Sequence, residues 1–346
     1  MNARATWRLT TNCDNACVFC AQAAPDSDSD PPGSGSDSGS GDLPSREALA
    51  ELRAGGAEGL SFIGGEPAAV DGLVDAVALA RELGFTAVGL QTNARALTRD
   101  RARFDALVQA GLSDLHLSIH ADTAAAHDYH TGRAGSFEAN LRVLDWSTRA
   151  GLTAVVTTVI TRSNFRGLAK LPNFLKARGV AGWLLEVVRP YGRACTGFAR
   201  VIPRFGMALP YALHALELSR RCDLSAWIRG APLCALGPFA RQALPETPRN
   251  YSDTRCAECA AKPSCAGVDP NYLEVFGDSE LRPRKAPKAA PFDAGRQQLM
   301  TLFVGVGELV DAPVILSSTP PATEAEAKSE DGESDKRRLP VLQSKS

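Results

Sequence analysis

The stretch GLSDLHLSIH at residues 111–120 decides the fold class of this chain. A glycine suited to ending a helix stands first, an apolar run follows at once, and polar side chains close the run. The same order recurs along the chain and predicts strands at residues 5–11, 59–63, 85–90, 112–119, 152–160 and 180–188. Because these runs are almost continuously apolar and alternate with segments of helical periodicity, we expect an α/β fold, a partial (β/α)6 parallel barrel.

Polar residues follow the end of each predicted strand. In a parallel barrel the loops after the strands gather on one face, where barrel enzymes hold their active sites. The residues placed there are Cys13, Cys17, Cys20, Gly64, Gly65, Glu66, Pro67, Gln91, Thr92, Asn93, Ser118, His120, Thr161, Arg162, Asn164, Glu186 and Arg189. We therefore expect the functional site at this face.

Three of the nine cysteines stand close together after the first predicted strand, at positions 13, 17 and 20. Three thiolates on a cubic iron–sulfur cluster leave one iron open to bind a cofactor or substrate, whereas electron-transfer clusters use four. A zinc site is the alternative, although zinc prefers four protein ligands. The chain shows no export signal, and in a reducing compartment such thiols favour metal binding over disulfides.

The segment CDNACVFC at residues 13–20 resembles the cluster motif of the radical S-adenosylmethionine (radical SAM) superfamily, and GGEP at 64–67 looks like its second-strand motif. The resemblance extends over about residues 6–193. It implies that Cys13, Cys17 and Cys20 ligate a 4Fe–4S cluster whose open iron binds S-adenosylmethionine. One electron then cleaves this cofactor to a 5′-deoxyadenosyl radical, which abstracts hydrogen from a substrate.

The resemblance also implies roles for residues outside the cysteine motif. Phe19 would lie against the adenine, the backbone-accessible Gly64 and Gly65 with Glu66 would receive the methionine moiety, and Asn93 and Ser118 would contact the ribose and carboxylate. Arg162 could pair with the cofactor carboxylate. An ordinary turn or strand-end role is the alternative for Asn93 and Ser118. Three further histidines receive no ligand role, because we expect them on a polar surface loop: His120, His127 and His130.

A second cysteine group, Cys256, Cys259 and Cys265, lies in a stretch with little periodicity. It resembles the C-terminal auxiliary-cluster extensions called SPASM and twitch, but Asp269 stands where the SPASM pattern has a further cysteine. One second 4Fe–4S cluster is therefore expected, with Cys234 as the favoured fourth ligand and Cys222 or Cys195 as alternatives. The same thiolates would suit a structural zinc ion equally well.

Sequence composition indicates how the chain is divided into domains and linkers. We expect a radical SAM partial barrel at residues 1–200 with a flexible Ser/Asp/Gly/Pro insertion at 24–42, a small irregular cysteine-rich extension at 201–285, a C-terminal helix at 286–312 and a disordered tail at 313–346. The first strand starts near residue 5, so we expect no peptide-recognition module before it. A net charge of −1 and the absence of any run of 18 apolar residues favour a soluble cytoplasmic protein that binds neither membrane nor nucleic acid.

These features together predict an oxidoreductase-like maturase that modifies a peptide or a small molecule through a carbon-centred radical. It would need an external reductant such as ferredoxin or flavodoxin. A radical methylase or nucleotide-modifying enzyme is a second hypothesis, suggested by the segment SIHA at residues 118–121. A non-enzymatic protein with two structural zinc sites is a third, and metal content separates it from the other two.

Overall fold

A seven-stranded parallel sheet forms the centre of the molecule. The computed structural model describes residues 3–21, 42–246, 249–287 and 297–303. Within these residues the strands pair in chain order and the first does not meet the last, so the barrel is open. The strands are β1 (Ala3–Thr10), β2 (Ala57–Gly64), β3 (Ala87–Thr92), β4 (Asp114–Ser118), β5 (Thr153–Ile160), β6 (Gly182–Val187) and β7 (Ser225–Arg229). The predicted α/β class and partial parallel barrel are confirmed.

Helices connect the strands and bury their apolar stripes with the outer face of the sheet. Local capping sets some of their starts, as at Ser45 and Asp100, whose side chains accept hydrogen bonds from amides inside the first turn. The helices are α1 (Arg46–Ala54), α2 (Leu73–Glu82), α3 (Arg95–Arg99), α4 (Arg101–Gln109), α5 (Ala124–Thr131), α6 (Ser136–Arg149), α7 (Leu171–Lys176), α8 (Gly192–Thr196), α9 (Phe198–Val201), α10 (Phe205–Arg221), α11 (Pro270–Phe276) and α12 (Gln297–Met300).

The sheet has one strand more than the six that the sequence predicts. The five residues of β7 pair in parallel with β6, and all five are buried. The sheet therefore continues past residue 200, where we expected the extension to begin. The strand is short and ends in Arg229, so its sequence lacks the long apolar run that marks the other strands.

The inner face of the sheet is more polar than the strand sequences indicate. Arg4 on β1 reaches across two strands to Asp114 on β4, with an Nη2–Oδ1 distance of 2.7 Å, and both side chains are buried. Gly89 on β3 lies between them, because a Cβ there would come within 2.1 Å of the Asp114 carboxylate. Such a contact requires a strongly curved sheet. This face of the sheet therefore buries an ion pair among strands that are otherwise mostly apolar.

The last described segment, residues 297–303, packs against the sheet. Phe303 is fully buried and clusters with Val155, Leu184 and Trp227, while its ring lies edge-on to that of His116. Of the C-terminal helix predicted at 286–312, the described part forms only α12 and one 3-10 turn (Thr301–Phe303). The predicted insertion, apart from Asp42, and the predicted tail lie outside the described residues. No helix in the described part of the chain is both long and apolar enough to cross a membrane.

Candidate cofactor and metal sites

The loop carrying the first cysteines is joined to the loop after β2 by backbone hydrogen bonds. The amide of Gly65 donates to the carbonyl of Thr10 and that of Glu66 to the carbonyl of Asn12, each at 2.7 Å. A Cβ on Gly65 would come within 2.0 Å of the Asn12 oxygen, and Gly64 has a φ of +143°. The two glycines therefore allow the two loops to approach each other, a role additional to the predicted contact with the cofactor.

Glu66 is buried and holds the start of the next loop. Its carboxylate accepts from the Ala68 amide at 3.0 Å, the Thr92 hydroxyl at 2.5 Å and the Asn93 amide at 2.6 Å. Burial raises the pKa of this carboxyl to about 7, against the hydrogen bonds, which act to lower it. Both carboxylate oxygens thus have partners inside the protein, so its contribution here is to position the loops after β2 and β3.

Asp14, which the sequence did not single out, anchors the cysteine loop to the loop after β3. Its carboxylate accepts from Asn93 Nδ2 at 2.7 Å, Arg95 Nε at 3.1 Å and Arg99 Nη2 at 3.0 Å. The same Asn93 Nδ2 lies 3.6 Å from the sulfur of Cys13. Asn93, a predicted cofactor contact, therefore lies directly beside the first cysteine. No local sequence signal links Asp14 to arginines some eighty positions away.

The other side of the cysteine loop is held by the end of α5. The amides of Ala16 and Val18 donate to the carbonyls of Thr131 and His130, at 2.9 and 3.0 Å. The helix ends at Gly132, where a Cβ would meet the Ala16 carbonyl oxygen at 2.6 Å. These contacts fix the middle of the motif that contains Cys17.

The prediction of surface histidines is wrong. His120, His127 and His130 are each at most 2 % exposed, and the ring of His120 stacks on that of His127 with centroids 5.4 Å apart. Burial lowers the pKa of all three, most strongly that of His120, so the group is neutral at physiological pH. The ring of Phe19 lies edge-on to His120 at 4.8 Å. The histidines therefore form the wall against which this loop residue packs.

The other two predicted cofactor contacts, Ser118 and Arg162, lie after different strands of the sheet. Ser118 is the last residue of β4, half-buried at the expected edge of the sheet. Arg162 follows β5, but its Nη1 donates to the carbonyl of Ala199 at 2.6 Å. The amide of Arg193 donates to the carbonyl of Cys20 at 3.0 Å, which ties α8 to the end of the cysteine motif.

The three thiols of this loop influence one another. Burial, followed by the neighbouring Cys13 and Cys20, raises the pKa of the Cys17 thiol well above its ordinary value. Three thiolates gathered in this way would repel one another unless a cationic group neutralised them, so the donor set fits a metal cluster. Within the described ranges, no three His, Cys, Asp or Glu side chains are close enough to hold a single metal ion. A cubic cluster holds its thiolates farther apart, since each binds a different iron.

The second cysteine group forms one site with a fourth thiol. Cys234, Cys256, Cys259 and Cys265 line a single small cavity near Tyr251 and Lys262. Backbone amides point at two of the sulfurs: Leu233 and Gly267 donate to Cys265 at 3.5 and 3.4 Å, and Arg284 to Cys259 at 3.3 Å. Hydrogen bonds of this kind stabilise thiolates.

The other two cysteines do not line this cavity. Cys195 lies in α8, and the thiol of Cys222 at the end of α10 donates to the carbonyl of Ser219. All nine cysteines lie in described segments, and each is a free thiol. The grouping agrees with the choice of Cys234 over Cys222 and Cys195, although its role as a ligand stays a prediction.

Comparison with known proteins fits this arrangement. Residues 7–170 match the family model of the Radical SAM superfamily. This segment belongs to the Radical SAM superfamily. It contains all three cysteines of the first loop, the Gly-Gly-Glu-Pro loop and the ends of five strands.

Two curated relatives and one solved structure illustrate the similarity. The chain is 28% identical over 199 residues to the AdoMet-dependent heme synthase of Oleidesulfovibrio alaskensis, covering 57% of this chain and 48% of that one. It is 33% identical over 140 residues to the PqqA peptide cyclase of Methylocella silvestris, covering 40% and 37%. The crystal structure of Streptococcus suis SuiB bound to precursor peptide SuiA superposes with a TM-score of 0.51 at 15% identity, over 67% of this chain and 50% of SuiB. The chain thus spans less than half the length of both curated relatives, and the structural match shows the fold alone.

Proposed function

We propose that this protein is a radical SAM enzyme that holds a 4Fe–4S cluster on Cys13, Cys17 and Cys20. The cluster, when bound, supplies the electron that cleaves S-adenosylmethionine to a 5′-deoxyadenosyl radical, which abstracts hydrogen from the substrate. The observation that carries this proposal is the three-thiol loop, which lies in a Radical SAM segment and is held on two sides by backbone contacts. Three thiols leave one iron position for the cofactor.

The chain's own residues would orient the cofactor and keep water away from it. Phe19, supported by the neutral histidines, would pack against the adenine. The backbone at Gly64 and Gly65, with Glu66, would face the methionine moiety, while the Glu66 carboxylate keeps the loops in place. Asn93, Ser118 and Arg162 are proposed contacts of the ribose and carboxylate. For that role, the guanidinium of Arg162 would have to exchange its Ala199 contact for the cofactor.

We further propose a second 4Fe–4S cluster on Cys234, Cys256, Cys259 and Cys265. Its support is the shared cavity and the three amides directed at the sulfurs. A zinc ion on the same thiols is the alternative, and it would require the thiols to move closer together, since no three His, Cys, Asp or Glu side chains in the described residues are near enough to hold one ion. The irregular, cysteine-rich segment would then be a SPASM- or twitch-like extension, beginning after β7 rather than at residue 201.

The substrate class that we propose is a peptide or a small molecule. Among the relatives, one is named a peptide cyclase and another a heme synthase, so both classes have support. A low-potential protein such as ferredoxin or flavodoxin would supply the electron. A cytoplasmic location would keep the nine free thiols reduced.

The reaction class can be tested with the whole chain. The protein would be reconstituted anaerobically with iron and sulfide, reduced with dithionite, given S-adenosylmethionine and assayed for 5′-deoxyadenosine. We expect this product. Cys222→Ala is the matched control, because Cys222 lies outside both thiol groups, and it should cleave as wild type does. Iron-loaded protein that forms no 5′-deoxyadenosine, with or without candidate peptides and porphyrins, would contradict the proposal.

Metal analysis tests the second site and the zinc alternative. Iron and acid-labile sulfide sufficient for two clusters would support two iron–sulfur sites. Zinc bound to the protein, and lost from Cys259→Ala but not from Cys17→Ala, would show that the second site is structural. A methyl group transferred from S-adenosylmethionine to product would instead favour the radical methylase hypothesis.

A further inference from the structure

Asp269 connects the cysteine-rich segment to the edge of the sheet. Its carboxylate accepts from Arg189 Nη2 at 3.2 Å and from Arg249 Nη1 at 3.0 Å, and its side chain is only 6% exposed. Arg189 follows the last residue of β6 by two positions, whereas Arg249 and Asp269 flank the second cysteine group. A single buried carboxylate therefore bridges two arginines that belong to different parts of the molecule.

Arg249 carries this connection to the turn that follows Cys265. Its Nη2 donates to the carbonyl of Gly267 at 3.1 Å, and its backbone amide donates to the carbonyl of Ala266 at 2.8 Å. The guanidinium is itself 6% exposed, so its position is defined by these partners. Arg249 thus donates hydrogen bonds to two successive carbonyls of the turn, those of Ala266 and Gly267.

The turn after Cys265 provides a backbone hydrogen bond to a sulfur of the second site. The amide of Gly267 donates to the sulfur of Cys265 at 3.4 Å. Gly267 has a φ of +72°, and a Cβ there would come within 1.9 Å of the Asn250 carbonyl oxygen, so only glycine fits. The orientation of this amide depends on the turn, which Arg249 holds together with the Asn250 carbonyl and the Tyr251 hydroxyl.

The contacts form one continuous chain from the sheet to the sulfur. It runs from the end of β6 through Arg189, Asp269 and Arg249 to the turn, and so to Cys265. Loss of the Asp269 carboxylate would remove the nearer of two carboxylates at Arg249, since Glu246 Oε2 lies 3.6 Å from Arg249 Nη2. The Gly267 amide is the member that contacts a sulfur, and groups that hydrogen-bond to metal ligands orient those ligands and shift the affinity and redox potential of the metal.

We propose that Asp269 is a positioning residue that ties the second thiol site to the strand-end edge of the sheet and sets the surroundings of the Cys265 sulfur. The inference rests on the proposed function only in taking the second site to be an iron–sulfur cluster. Asp269 acts through Arg249 and Arg189 and is not itself a ligand, since both of its oxygens accept hydrogen bonds from arginines.

The test uses the Cys17→Ala background, in which the spectrum arises from the second site alone. Asp269→Asn is introduced there, and iron content, visible spectrum and midpoint potential are measured by dithionite titration. Loss of this negative charge should raise the midpoint potential of the second cluster. Loss of the Asp269–Arg249 contact should loosen the turn after Cys265 and weaken iron binding by about tenfold. In the otherwise wild-type enzyme, product formed per 5′-deoxyadenosine should fall by about the same factor, while total cleavage is retained.

Two further variants separate the proposal from a loss of fold. Arg189→Gln breaks only the link to the sheet and keeps the Asp269–Arg249 pair, so it should lower product per 5′-deoxyadenosine with the second site still loaded. Asp278→Asn is the matched control, because that carboxylate contacts Ser252, Thr254 and Arg255 within the segment. Equal midpoint potentials for Asp269→Asn and Asp278→Asn would overturn the proposal.

A measurement on metal-free protein distinguishes failure of this inference from failure of the proposed cluster. A Cys17→Ala protein that binds no iron would contradict the cluster on the second site. Hydrogen exchange at the Gly267 amide then still tests whether Asp269 holds the turn after Cys265. We expect faster exchange in Asp269→Asn than in Asp278→Asn. Unchanged exchange in both variants would show that Asp269 does not hold this turn.

Discussion

The two thiol groups of this protein are built in different ways. The first places three cysteines in one short loop, and that loop is positioned by backbone contacts to the loop after β2 and to the end of α5. The second draws four cysteines from separate parts of an irregular segment and directs backbone amides at their sulfurs. Three thiols leave room for an additional ligand, whereas four can saturate a cluster. The difference suits a first cluster with an open iron and a second cluster whose irons are all ligated by the protein.

The largest expected effect separates the first group from the second. Cys17→Ala removes the thiol whose pKa is raised most clearly by burial and by its neighbours. We expect 5′-deoxyadenosine formation to fall by more than about 100-fold, since outer partners of metal ligands alone contribute that much. Product chromatography and iron analysis would measure this. Normal cleavage by this variant would show that the two groups have been assigned the wrong roles.

The converse variant addresses the second group. Cys259→Ala removes a thiol that accepts from the Arg284 amide, far along the chain from the first loop. We expect cleavage to be within about twofold of wild type, with substrate turnover reduced by about 100-fold. Both products would be measured in one assay. If this variant lost cleavage as completely as Cys17→Ala does, the two sites could not be functionally distinct.

A smaller effect is expected from the close approach that positions the first loop. Gly65→Ala would place a Cβ 2.0 Å from the Asn12 oxygen and so displace the loop that holds Cys13. Because a shift of about 1 Å at a reacting centre costs up to about 100-fold, we expect cleavage to fall by about tenfold or more. Gly167→Ala is the control, since a Cβ there has no heavy atom within 4 Å. Equal cleavage by the two variants would refute the close-approach argument.

A separate effect concerns the stability of the sheet and not the two thiol groups. His116 is buried with its Nε2 at 2.7 Å from the Thr157 hydroxyl, and burial lowers its pKa from 6.5 to about 3. As pH falls below the unfolded pKa, the unfolded chain binds a proton that the folded chain excludes, so stability decreases. At about pH 5 this costs about 2 kcal/mol relative to neutral pH.

The His116→Asn variant should lose this pH dependence. Urea unfolding of metal-free protein at about pH 7.5 and about pH 5 would measure it, and wild type should lose about 2 kcal/mol more than the variant. The other buried histidines are common to both proteins and cancel in the comparison. Identical losses would mean that His116 titrates normally in the folded sheet.

The sequence predicts the sheet well because its signals are local. Helix-ending glycines and apolar runs identify six strands, and their order alone places the strand ends on one face. The same signals miss β7, whose five residues are buried through their neighbours and not through an apolar pattern of their own. They also mislead about His120, His127 and His130, since polar residues after a strand are usually exposed.

Residue spacing along the chain determined three cysteines of each group, because thiols a few positions apart in one loop must lie together. The fourth thiol of the second group, Cys234, stands apart from the others in sequence and joins them only in the fold. Spacing did not determine what holds the loops. The Asp14 contacts with Arg95 and Arg99, the buried Glu66 and the Asp269 bridge join residues far apart in sequence. Such pairs depend on the curvature of the sheet and on which side chains it buries. Only the tertiary structure decides them, because no local propensity encodes a contact between residues far apart in the chain.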